Sequence, residues 1–130
     1  MLTFPQTQTQ DPSGSVMTAR TMAWALERLN LGQCVALASV VESQGSVPGK
    51  VGAKIAVSEN GERHGTVGGA GLEEKVISHL NDIINSDASP GIHRFQLRKE
   101  AMQNTSKGIE ATPLNSLCGG VVTIVSEFLN

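Results

Sequence analysis

The sequence predicts a single α/β domain, a mixed β-sheet of about five strands packed with two main helices. Three observations lead there. The chain of 130 residues is the size of one domain. Strand-like and helix-like hydrophobic periods alternate along it. Its apolar fraction is 39%, and with three Phe, one Trp and no Tyr the core must be built from Val, Ile, Leu and Ala.

Residues 1–15, rich in Gln, Thr, Pro and Ser, carry little to bury and read as a flexible arm, leaving 16–130 as the domain. In "SVMTARTMAWALERLNLG", Ala19, Met22, Ala23, Leu26 and Leu29 recur at helical spacing, which predicts a helix near Thr18 to Asn30 with that stripe on the core. Gly32 suits the position just past its end. "QCVALASVVES" is a strand-length apolar run without clean alternation, the pattern of a central strand covered on both faces. "AKIAVS" alternates as a second strand, "ENG" is a hairpin turn, and "ERHGTV" returns as a short third strand. A helix from Leu72 to about Asn85 follows, with Leu72, Val76, Leu80 and Ile83 on one face. "IHRFQLR" sets His93, Phe95 and Leu97 against Ile92, Arg94, Gln96 and Arg98, a half-exposed strand. The stretch from Lys99 to Leu117 has no steady period and reads as a long loop. A buried strand centred on Val121 to Val125 closes the chain.

The charge balance narrows the function classes. A net charge of −2, with bases scattered among acids, offers no stripe for nucleic acid, and scarce aromatics offer no stacking platform. No apolar run reaches the ~18 residues of a membrane span. The polar N-terminus lacks the pattern of a secretion signal, so the expected location is the cytoplasm. Two cysteines in a reducing compartment form no disulfide framework. Cys34, inside an apolar strand, reads as core. Cys118 stands at a strand mouth before Gly119 and Gly120, where backbone N–H groups favour a thiolate, either a nucleophile or a soft-metal ligand. His64, His79 and His93 read as isolated surface or satisfied residues.

Two glycine-rich stretches are candidate binding loops. In "GTVGGAG", Gly68 and Gly69 permit unusual backbone conformations just ahead of a helix N-terminus, which favours an anion. Alternatively Glu73 and Glu74 satisfy that helix dipole themselves. In "GSVPGKVG", Gly45, Ser46, Pro48 and Lys50 suit either a ligand or a plain turn. No G-x-G-x-x-G spacing and no G-x-S-x-G elbow is present.

In order, "VALASVVESQGSVPGKVGAKIAVSENGERHGTVGGAGLEEKV" followed by "LCGGVVTIVSE" resembles the N-terminal domain of the XdhC/CoxI family. The resemblance implies an accessory protein rather than an enzyme. Such proteins bind the molybdenum cofactor (molybdopterin, a pterin dithiolene with a phosphate tail) and insert it into an apo-molybdoenzyme of the xanthine dehydrogenase or carbon monoxide dehydrogenase type. The implied cofactor-binding residues are Gly45, Ser46, Pro48, Lys50, Gly68, Gly69, Glu73, Cys118, Gly119 and Gly120, with Cys118 toward molybdenum or its sulfur. Gly49 stands where the family usually carries Arg, and Ala70 where it carries a third glycine. Family members typically continue into a C-terminal Rossmann-like domain. The expectation here is a stand-alone N-terminal domain that forms a homodimer or meets that domain on a separate chain. The alternative is an interaction module of the same fold that binds no cofactor and acts by docking to a partner or by self-association.

Overall fold

The order of elements is α1 (Pro12–Asn30), β1 (Val35–Gln44), β2 (Lys54–Ser58), β3 (Arg63–Gly65), α2 (Ala70–Ile84), β4 (Gly91–Gln96) and β5 (Val121–Leu129). The structure is a computed structural model and describes residues 12–45, 50–97 and 119–130. The five strands form one sheet in the order β3-β2-β1-β5-β4. Every pairing is antiparallel, where a mixed sheet was expected. The reason is connectivity. The Glu59–Gly61 turn joins β2 to β3 as a hairpin, and α2 leads to an edge strand that pairs with β5 rather than crossing over to lie parallel.

The two helices cover opposite faces. On one, Leu72, Val76, Ile77, Leu80 and Ile83 of α2 pack on Ala36, Ala38, Val40, Ile55, Val57, Val122 and Ile124. On the other, Trp24, Ala25 and Leu29 of α1 meet Val35, Leu37, Ala56 and Leu129. Because β1 is central and lies between both clusters, its residues 35–38 are all buried, which explains the run without alternation. Edge strand β4 is covered on one face only and alternates as its sequence indicates.

Helix α1 starts at Pro12, six residues before the expected Thr18, and takes in part of the expected arm; residues 1–11 lie outside the described residues. Proline suits a first helical position, where an N–H would have no partner. The helix ends in a Schellman motif: Gly32 N–H donates to Leu29 O at 2.9 Å and Gln33 N–H to Arg28 O at 3.0 Å, with Gly32 at φ +87°. Its orientation corrects the sequence reading. Thr21 and Ala25 are buried against the sheet, whereas Met22 and Leu26 remain 43% and 58% exposed. Thr21 holds that rotation, accepting or donating to His64 Nδ1 at 3.0 Å, while His64 stacks on Trp24. The long loop expected from Lys99 to Leu117 lies outside the described residues.

Candidate functional site

The register brings three connections to one end of the sheet. Gln44 at the end of β1 and Gln96 at the end of β4 both pair with Val121, the first residue of β5. The start of β2 and the end of β3 face the same way, since Ile55 pairs with both Ala38 and Gly65. The segments after β1, β3 and β4, which hold every candidate site residue, therefore leave from this end. Ser46, Pro48 and Cys118 lie outside the described residues.

Two of the three segments are in contact. A Cβ on Gly45 would stand 3.1 Å from Gly120 Cα and 3.6 Å from Gly119 O, so the two backbones approach as only glycines allow. Gly45 is also at φ +80°. Leu97 N–H donates to Gly120 O at 2.8 Å and ties the end of β4 to the same point. Lys50 is exposed, and its carbonyl accepts from Ala53 N–H at 3.0 Å.

The Gly68–Gly69 turn makes no such close approach at Gly69, where a Cβ would meet nothing within 4 Å. The turn's donors are already taken. One carboxylate oxygen of Glu73 accepts from Val67 N–H and Gly69 N–H, each at 3.2 Å, and from the Thr66 hydroxyl. Gly68 N–H donates to Thr66 Oγ1 at 3.1 Å. Glu73 thus supplies the anion that the helix N-terminus favours. A phosphate there would meet the Glu73 carboxylate, which already accepts from the amides of Val67 and Gly69.

A depression of about 350 Å³ lies beside the Gly45–Gly120 contact, lined by Glu42, Gln44, Arg94, Gln96 and Val121. It occupies the part of the sheet that α1 leaves bare, since α1 packs on β1, β2 and β3. Glu42 is held there by Thr123 Oγ1 and Gln44 Nε2, each at 3.3 Å. None of the four polar lining residues was picked out from the sequence. Their only sequence signal is the outward alternation of β4 and the polar end of β1.

Other titratable groups also depart from the sequence reading. Cys34 is half-buried just before β1 rather than inside it, and its thiol donates to Glu59 Oε1 at 3.0 Å. That hydrogen bond raises the thiol pKa, with desolvation adding to the rise, and lowers that of Glu59 against a small opposing desolvation. His79 and His93 are not isolated. Their rings meet edge to face at 4.0 Å, joining α2 to β4, and His79 lies 3.4 Å from Ser126 Oγ. Burial and then the His93 charge lower the His79 pKa against an opposing Asp82. Both histidines sit at inward positions of their periods, which was legible. Among the described residues no group of three or more His, Cys, Asp or Glu is placed to hold a metal, and no helix is long and apolar enough to cross a membrane.

An antiparallel sheet between two helices, with glycine-bearing connections leaving from one end, defines a small α/β domain. The model of the XdhC and CoxI family matches residues 29–96, more than half of the chain, and the chain belongs to that family. The match takes in the Gly45–Ala53 and Gly65–Glu73 segments and stops short of Gly119 and Gly120. A solved structure from Bacillus halodurans, described as a xanthine dehydrogenase, is similar with a TM-score of 0.55 at 17% identity. The similarity covers 85% of this chain and 30% of that one, so this chain spans under a third of its length. No curated protein matches the sequence.

Proposed function

We propose that this domain is an accessory protein of molybdoenzyme maturation that holds the molybdenum cofactor at the loop end of its sheet before transfer to an apo-enzyme. Family membership and the contact between the Gly45 and Gly120 segments beside a polar depression support this reading. The chemistry of the lining suits the ligand. A carboxylate such as Glu42 accepts two hydrogen bonds from the amino-pyrimidinone edge of a pterin. The Arg94 guanidinium across the depression suits a phosphate and offers what Gly49 lacks. Lys50 adds a second exposed cation at this end. Cys118, two residues before Gly120, would bring a thiolate toward molybdenum or its sulfur. Bound cofactor would supply the molybdenum chemistry to the client; this chain's residues bind, orient and shield it.

Glu73 filling the amide turn favours the second reading, an interaction module that docks to a partner without cofactor. Co-expression with cofactor biosynthesis and native mass spectrometry separates the two. The expected result is a bound pterin species, lost or reduced in Arg94→Ala and Cys118→Ser. Apo-protein alone under co-expression, together with retained binding of an apo-molybdoenzyme, would refute cofactor binding and leave the docking module.

A further inference from the structure

Helix α1 is apolar on two sides, and only one meets the sheet. Thr21, Trp24, Ala25 and Leu29 face inward, whereas Ala19, Met22, Ala23 and Leu26 are all exposed on nearly the opposite side, continued by Val16. We propose that this outer stripe is the interface of a homodimer in which two copies of α1 pack antiparallel.

The pattern of large and small residues selects a second copy. Centred between Ala23 and Trp24, an antiparallel pairing sets Leu26 of one copy between the levels of Ala19 and Met22 of the other. The two Ala23 methyl groups meet near the axis and let the helices approach closely. Leu26 therefore seats beside the small Ala19 as well as beside Met22, as ridges packing into grooves allow. Charge selects the direction. Arg20 and Glu27 are both exposed on the same flank of the stripe, three positions before Ala23 and four after. A two-fold axis across antiparallel helices preserves the flank, so Arg20 of each copy stands level with Glu27 of the other. Parallel pairing would turn the two flanks to opposite sides. Glu27 is available for this, because its in-chain contact with Arg28 at 3.3 Å is the longer of two for a guanidinium that also binds Glu62 at 3.0 Å.

The stripe from Val16 to Leu26 is ~15 Å long. One helix face is smaller than a standard interface, so the dimer is weak and concentration-dependent, with Kd roughly 10–100 µM. Sedimentation equilibrium of the full chain at low ionic strength tests it. Wild type is expected to dimerise in that range, and Leu26→Glu to weaken association at least ~10-fold with an unchanged circular dichroism spectrum. Arg20→Glu sets two like-charge pairs across the axis and is expected to weaken it ~3-fold or more. Arg20→Glu with Glu27→Arg reverses both charges and is expected to return within ~2-fold of wild type. A wild-type monomer at all these concentrations overturns the proposal, as it would if the stripe were covered by another segment of the chain. A dimer unaffected by Leu26→Glu, or a double variant no better than Arg20→Glu, overturns it equally. None of these outcomes depends on cofactor.

Discussion

Glu73 is the residue whose role changes most between sequence and structure, and its removal has a calculable cost. In Glu73→Ala three donors lose one acceptor: Val67 N–H, Gly69 N–H and the Thr66 hydroxyl. Thr66 is exposed and can turn to water. Val67 is fully buried, so its N–H keeps a desolvation penalty of ~1–3 kcal/mol. Loss of a carboxylate from the first turn of α2 adds ~0.3–1 kcal/mol. Part of the charge-assisted hydrogen bonding to Gly69 N–H is lost as well. The total is ~2–4 kcal/mol. Glu73→Gln keeps an acceptor oxygen without the charge and should cost about half of that. For a domain of this size the alanine variant should melt roughly 8–15 °C lower. Urea denaturation and thermal melts measure both. The order Ala below Gln below wild type is expected, with sulfate partly rescuing Glu73→Ala by entering the vacated amide turn. A change under about 0.5 kcal/mol in Glu73→Ala would refute the structural role and return Glu73 to the ligand-binding set.

Gly65→Ala places a methyl group against Lys54 O and 2.6 Å from Thr21 Oγ1 at φ +95°, so a loss of ~3–5 kcal/mol is expected by denaturation; a fully stable variant would contradict the geometry. Glu59→Gln should speed alkylation of Cys34 at fixed pH, because the carboxylate now raises the thiol pKa. Unchanged labelling would show that the Cys34–Glu59 hydrogen bond is not formed in solution. Cys34→Ser, with a hydroxyl that can donate to the same carboxylate, should be close to neutral in stability. His79 has a folded pKa below its unfolded value near 6.5, so it adds stability above that value that is lost as pH falls through the folded pKa. His79→Gln should flatten stability against pH as pH falls below the ordinary histidine value of about 6.5, and an unchanged slope would assign that titration elsewhere.

Local pattern determined much of this protein. The two helices, the five strands and the central position of β1 follow from hydrophobic period and turn chemistry, which act over a few residues. The glycine segments announced the family, and they lie where the chain leaves the sheet. What the sequence left open was decided by contacts between distant residues. The pairing of β4 with β5 rather than a crossover made the sheet antiparallel. The outer stripe of α1 has a core-like period, but the Thr21–His64 contact and the stacking of Trp24 on His64 turn the opposite side of the helix inward. Period reveals that a face is apolar and not which surface covers it. Glu73 and Cys34 show the same limit for polar groups. Each finds its partner across a turn or a strand, at Gly69 and at Glu59, and hydrogen-bond geometry of that kind exists only once the chain has folded.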